Sequence, residues 1–363
     1  MIILTGLIFF RTPFIVLMPY FQSGLALELV FFTIGLGKRF QYVEAQKQET
    51  QKKLIEELKI REEFQLALNQ ELEEIVNERT QEIYQSKEEI EAQKSLIEIN
   101  NSLLERTNKQ LTDNLKYAGF IQQALLQDIE LLRPYFSDMM LFYKPHSFIS
   151  GDFYKYYHIN KYSTIIIVAD CTGHGVPGAM LTIIAQDFLD DIILNHSITS
   201  PQQILVELEH RITSRLLDKN MNENLSEGLD IAIILINRKA NEILFSGAKL
   251  PLILIQDNNI IRIKGEIFGI GGNIHNRKNL KTFTLHSLTF KNGDILYLYT
   301  DGFQDQLHYI TGKKFLSTRF RDFLQTISIH PFEKQKELLN DKLFEWKNIN
   351  EQTDDITILG LKF

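Results

Sequence analysis

Apolar and polar positions divide the chain into three regimes. From Met1 to Arg39 apolar residues dominate, in two runs. The first, Met1–Phe10, ends at Arg11. The second, Tyr20–Gly37, carries only Gln22, Ser23 and Glu28 as clearly polar residues. As a helix the second run is roughly 27 Å long at about 1.5 Å per residue, close to a hydrocarbon thickness of about 30 Å. The chain start lacks the basic residue and small-residue cleavage site of a signal peptide. The pattern therefore predicts one or more membrane segments over 1–39. Lys38, Arg39, Lys47, Lys52 and Lys53 follow, which places everything downstream on the cytoplasmic side. The expected localisation is the cell membrane with the rest of the chain in the cytoplasm. A buried helix of a soluble domain is the rival reading, and Glu28 in a membrane would have to face protein or the interface.

Residues 41–115 contain neither Pro nor Gly and are rich in Glu, Lys, Gln, Leu and Ile, which favour helix. Val76, Ile83, Ile90, Ile97, Leu104 and Leu111 recur at a strict seven-residue interval. That interval predicts a left-handed coiled coil, here a signalling stalk over 40–115 and a parallel homodimer. The companion seam is mostly polar: Leu72, Arg79, Ser86, Gln93, Asn100 and Thr107. Polar seam positions lower stability and permit either a fixed register or two registers. A passive dimerisation rod and a signal-transmitting helix both fit.

Beyond residue 115 the periods become mixed. Tyr117, Phe120, Ile121, Ala124 and Leu125 have helical spacing, which predicts a helix at about 116–130 with that face buried. Gly119 weakens this helix by about 1 kcal/mol relative to Ala. Short apolar or β-branched runs predict strands at 139–145, 165–168, 231–236, 242–245, 252–255, 260–263, 282–285, 295–299 and 356–361. Helical patterns lie at about 178–195, 201–218 and 332–347. The expected class is α+β, with two sheets between helices.

The net charge of −7 argues against a general nucleic-acid binder. Cys171 is the only cysteine, so no intrachain disulfide and no cysteine zinc cluster can form. The informative residues are aspartates at strand ends. Asp152 lies in Ser150-Gly151-Asp152-Phe153. Asp170 follows the run Ser163–Ala169 and opens Asp170-Cys171-Thr172-Gly173-His174-Gly175. Asp301 follows Ile295–Thr300 and precedes Gly302, and Asp354-Asp355 open the last strand. Carboxylates on rigid elements are suited to hard divalent cations, which take oxygen ligands.

These four motifs, in this order, resemble the SpoIIE-like branch of the PPM-type (protein phosphatase 2C) serine/threonine phosphatases, over about 116–363. The resemblance implies an α-β-β-α sandwich holding two Mn²⁺ or Mg²⁺ ions. It implies that Asp170 bridges both ions and that the Cys171 carbonyl, not its thiol, binds one. Asp152 would hold an ion or its waters, Asp301 and Asp354 the other ion, and Asp355 would act in support. The helix at 116–130 resembles the regulatory helix preceding such cores. Phe21–Phe32 resembles the last transmembrane helix of bacterial seven-transmembrane sensor receptors, which implies that the chain is the C-terminal part of such a receptor.

The implied activity is a hydrolase reaction, the dephosphorylation of phosphoserine or phosphothreonine on a signalling regulator by activated water, controlled from the membrane through the stalk. The resemblance offers a small phosphorylated regulator, such as an anti-sigma-factor antagonist, as the partner class in signal transduction. A catalytically idle phosphatase-like scaffold that binds a partner is the main alternative. A nucleotide cyclase lacks its motif here, and a cysteine phosphatase lacks a basic phosphate loop around Cys171. His146 is a substrate contact or, on the blander reading, a surface loop residue. Asp190, Asp191 and Asp230 lie outside the motifs and read as solvated or structural. The segment Ser246–Pro251 carries no Asp where larger family members hold a third ion. Ile267–Asn273 is Gly-rich without the P-loop pattern, and reads as a turn.

Overall fold

The structure, a computed structural model, describes residues 6–173, 175–216, 228–271 and 281–363, with side chains from residue 23 onward. His174, the start of the first apolar run, the last residues of the 201–218 pattern and the end of the Gly-rich loop lie outside the described residues. The chain divides into two compact units, Met1–Leu103 and Leu104–Phe363.

The first unit is part of helix α1 (Gly6–Leu125), continuous through the predicted stalk. Its seam residues Val76, Ile83, Ile90 and Ile97 are exposed. Among the described residues no helix is long and apolar enough to cross a membrane. This corrects the expected membrane segment and the localisation at the cell membrane drawn from it. The apolar run ends at Gly37. Glu28 interrupts it, and Lys38 and Arg39 close it.

The second unit is a two-sheet sandwich. After α1 come a 3₁₀ turn (Ile129–Tyr135), β1 (Asp138–Lys144), β2 (Asp152–His158), β3 (Ser163–Cys171), α2 (Val176–Asp190), which ends in a π turn, and α3 (Pro201–Leu216). Then follow β4 (Gly228–Asn237), β5 (Glu242–Ala248), β6 (Leu252–Gln256), β7 (Asn259–Ile263), β8 (Ile270–Gly271), β9 (His286–Thr289) and β10 (Ile295–Tyr299). The chain closes with the short α4 (Gly302–Asp305), α5 (Ser317–Ile327), α6 (Phe332–Lys347) and β11 (Ile356–Lys362). One sheet has the order β1-β11-β10-β6-β7 and the other β2-β3-β4-β5-β9, with β8 beside β4.

Alternation along the strands sorts three cores. Val168, Ala232 and Ile234 of one sheet meet Leu254, Leu298 and Leu359 of the other between the sheets. Phe153, Ile167 and Ile231, on the opposite face of their strands, pack under Leu181, Leu189, Leu208 and Ile212 of α2 and α3. Met140, Tyr297 and Ile358 likewise pack under Phe320, Leu324, Leu339 and Leu343 of α5 and α6. Strands covered on both faces read as continuous apolar runs, which is why periodicity placed most of them. The layers are α-β-β-α.

The end of α1 departs from expectation. Tyr117, Phe120, Ile121 and Leu125 are exposed, while Gln122 is buried. The expected burial of the apolar face is therefore corrected: the face turned to the sandwich is the one bearing Gly119 and Gln122. A Cβ on Gly119 would lie 2.2 Å from the Phe148 carbonyl oxygen, so this glycine serves close backbone approach.

Candidate functional site

The register of one sheet builds half the site. Asp152 opens β2 opposite Asp170 on β3. Asp170 is in turn opposite Asp230 on β4. Directly opposed residues of antiparallel strands share a face. The three carboxylates thus form a row at one end of the sandwich, on the face that further along carries Val168, Ala232 and Ile234 into the inter-sheet core. The other sheet supplies Asp301, just beyond β10, and Asp354 and Asp355, just before β11. These two strands are paired, and a Cβ on Gly302 would lie 1.9 Å from the Asp355 carbonyl oxygen. The Asp301 turn therefore presses on the start of β11 as only glycine permits.

Contacts across the sheets orient Asp152. Its Oδ2 accepts hydrogen bonds from the hydroxyls of Thr300 and Thr357, each at 2.7 Å. Its Oδ1 is buried and has no hydrogen-bond partner. Asp355 is committed otherwise: Oδ1 accepts from the His146 amide and Oδ2 from the Gly151 amide, both at 2.6 Å. Asp355 therefore ties the loop before β2 to the start of β11. Cys171 is buried among the α2–α3 core residues, and burial pushes its thiol well above the ordinary range, with Asp170 adding to the effect. A thiolate nucleophile does not fit there.

Electrostatics show how closely the carboxyls crowd. Burial pushes Asp152 and Asp170 well above the usual carboxylate range. The two threonine hydroxyls oppose this at Asp152, and repulsion from Asp152 and Asp301 reinforces it at Asp170. Asp301, hydrogen-bonded to Asp170, is pushed up to about 6, first by burial and then by Asp305 and Asp354. Asp354 is raised by burial as well. Among the described residues no three acidic, histidine or cysteine side chains are drawn together into a ready-made metal cage. The donor set nevertheless fits a hard cation: it is all oxygen, its members destabilise each other when ionised, and two buried oxygens of the row, Asp152 Oδ1 and Asp230 Oδ1, accept no hydrogen bond.

Three features escaped sequence reasoning. Asp230 is largely buried beside Asp170, with its carboxyl raised by burial and held by Lys249. Thr300 and Thr357 clamp Asp152. Gln122 reaches from α1 into the site's support: Nε2 donates to the Ser150 carbonyl at 2.6 Å and to Thr182 Oγ1 at 3.1 Å, and Oε1 accepts from the Ser150 amide at 2.9 Å. The Ser150 hydroxyl in turn accepts from the Asp152 amide at 3.1 Å. Asp190 pairs with Lys155 and Asp191 with Arg211, away from the row.

Comparison with known proteins agrees with this geometry. The model of the family described as Stage II sporulation protein E (SpoIIE) matches residues 160–363. The SiaA-PP2C domain of Pseudomonas aeruginosa superposes with a TM-score of 0.63 and 31% identity, covering 71% of this chain and 98% of that domain. Phosphoserine phosphatase RsbP of Bacillus subtilis (strain 168) is 23% identical over 237 residues, 63% of this chain and 54% of RsbP. The chain thus spans about half the length of that relative. With the aspartate motifs at the ends of a two-sheet sandwich and the family match running through to Phe363, the chain belongs to the SpoIIE family of PP2C-type serine/threonine phosphatases.

Proposed function

We propose that the chain is a metal-dependent phosphoprotein phosphatase that hydrolyses phosphoserine or phosphothreonine on a phosphorylated regulatory protein. One observation carries the reading. Burial raises the Asp170 carboxyl, repulsion from Asp152 in its own sheet and from Asp301 and Asp354 of the other adds to it, and Asp152 Oδ1 has no hydrogen-bond donor.

Asp170, central in its row, would hold two ions together with Asp152, Asp301, Asp354 and the Cys171 carbonyl. Two Mn²⁺ or Mg²⁺ ions bound there would supply hydroxide near neutral pH and would neutralise the phosphoryl oxygens. The chain's own residues supply the orientation. Thr300 and Thr357 fix Asp152 so that Oδ1 is the oxygen left for the site. Asp355 fixes the loop before β2 through the Gly151 and His146 amides. No covalent phosphoenzyme is required, and the buried Cys171 thiol plays no part. The name of RsbP supports phosphoserine as the ester, and an anti-sigma-factor antagonist is the partner class we favour.

Control runs through α1. Leu104 and Leu111 continue the heptad seam on the same helix that carries Gln122. Pairing of two chains along the seam, as a parallel coiled coil, would set the rotation of this helix and so the grip of Gln122 on Ser150. Polar positions on the companion seam give the pairing room to change register.

The test is Mn²⁺-dependent hydrolysis of p-nitrophenyl phosphate and of a phosphoserine peptide by the full chain and by Asp170→Ala. Activity in the parent and its loss in a variant with an unchanged melting temperature are expected. Equal rates in the two would overturn the assignment and leave a partner-binding module.

A further inference from the structure

The reaction site as described is built from anionic groups, yet its substrate is a phosphoryl dianion. A cation on the rim would add to the pull of the bound ions on that dianion, and the structure holds one in an unusual setting. Lys249 follows β5 and has a left-handed backbone, with φ of 60°. Such a conformation is uncommon for a side chain other than Gly, Asn or Asp. Its turn is pinned: the Lys249 amide donates to the Glu266 carbonyl at 2.8 Å, and the Glu266 amide donates to the Gly247 carbonyl at 2.8 Å. The side chain is thereby aimed at the carboxylate row. Its Nζ stands 3.0 Å from Asp230 Oδ1 and 3.1 Å from Oδ2.

The two partners differ sharply in exposure. The Asp230 side chain is 13% exposed and that of Lys249 is 46% exposed. An ordinary surface ion pair holds two mobile side chains and contributes little. Here one partner is fixed within a sheet, directly across from Asp170, and the other projects from it towards solvent. An ammonium has three donors in a compact charge. A single carboxylate gripping it from one side leaves a donor and much of its surface open. Lys314, paired with Asp305 at 2.6 Å, lies on the Asp301 side of the cluster and is the other lysine of this kind among the described residues. Lys314 also feels Asp301 and Asp354, but its partner Asp305 is 35% exposed and sits on the helix after Asp301 rather than in a sheet, so Lys249 is the more firmly held.

The geometry points to Lys249 as a substrate-binding residue, its ammonium receiving a phosphoryl oxygen of the phosphoserine ester, with Asp230 as the positioning residue that holds it at the edge of the carboxylate row. A neutral ester would gain little from this contact and a monoanion less than a dianion, so the pair favours the dianion. The inference rests on the phosphatase reading for its substrate. Its own content, a phosphate contact, can be measured without turnover.

The test uses the full chain with saturating Mn²⁺, comparing Lys249→Met and Lys249→Arg with the parent. Lys249→Met is expected to raise KM for a phosphoserine peptide and the inhibition constant of inorganic phosphate together, each by about tenfold, the loss of one charge-assisted hydrogen bond. The turnover number is expected to change little, since the contact is made equally before and during reaction. Lys249→Arg is expected to recover most of the affinity. Calorimetric titration with inorganic phosphate is expected to give the same ranking. An unchanged KM and phosphate affinity in a folded Lys249→Met would overturn the inference, as would a fall in turnover and melting temperature with KM unmoved, which marks a purely structural partner of Asp230. A parent chain that binds phosphate through Lys249 without hydrolysing any ester would overturn the phosphatase reading and leave this contact standing. A parent that does neither would overturn both.

Discussion

Removal of divalent cations with EDTA is expected to leave a protein that is more stable in mild acid than at neutral pH. The cause is the burial of carboxyls at the end of the sandwich, with their mutual repulsion adding to it. A group whose folded value is raised contributes stability that is fully present below its ordinary value and is lost as pH rises through the folded value. Asp301 moves from an ordinary 3.8 to about 6. From that shift, the chelated chain is on the order of 1.4 kcal/mol more stable at pH 5 than at pH 7.5. Asp152, Asp170 and Asp354 are raised in the same direction, so the slope is steeper than Asp301 alone gives. For a domain of this size the Asp301 share corresponds to roughly 3–6 °C in melting temperature. Melting of the full chain in EDTA, followed by circular dichroism from pH 5 to 7.5, measures it. Addition of Mn²⁺ is expected to reverse the slope, because cations bind the deprotonated carboxylates. Asp301→Asn in EDTA is expected to flatten the slope by its own share. A melting temperature in EDTA that stays level or climbs from pH 5 to 7.5 would refute the reasoning.

Four further outcomes follow from particular contacts. Thr300→Val removes one of two hydroxyls on Asp152 Oδ2, and the Mn²⁺ concentration giving half-maximal rate is expected to rise about 10- to 100-fold. Gly302→Ala drives a Cβ onto the Asp355 carbonyl; it is expected to abolish activity and lower the melting temperature, while the same change at exposed Gly37, where a Cβ meets nothing, leaves the rate intact. Gln122→Ala strands the buried Ser150 amide and carbonyl, which costs on the order of 2–4 kcal/mol and is expected to show as a lower melting temperature and a weaker response to Mn²⁺. Ile90→Lys with Ile97→Lys places charges on the exposed heptad seam, and sedimentation is expected to show a dimer becoming a monomer.

The sequence made some of this legible and hid the rest for physical reasons. Continuous apolar runs located strands such as β3, β4 and β10 because these are covered on both faces. The Asp motifs stood out because each closes or opens such a run. Register was not legible: nothing near Asp230 in the chain says that it stands opposite Asp170, and nothing near Thr357 says that it reaches Asp152. Those neighbours are set by strand order, which short-range pattern does not encode. The end of α1 misled for another reason. Its apolar spacing is genuine, but the sandwich takes the face with Gly119 and Gln122, where a bare glycine admits the Phe148 carbonyl and an amide completes the Ser150 backbone. The N-terminal stretch misled because its apolar run carries a charge, Glu28, and is closed by Lys38 and Arg39.

Asp152 hangs from one sheet by its backbone and from the other by two hydroxyls. The carboxylate-bearing end of the molecule is therefore stitched across its deepest seam. Any slippage of one layer over the other misplaces that oxygen by as much as the layers move, long before a strand frays or a helix melts. On the proposed reading, a chain whose layers have shifted is expected to lose turnover before it unfolds, which makes the rate a gauge of how well the two halves are seated.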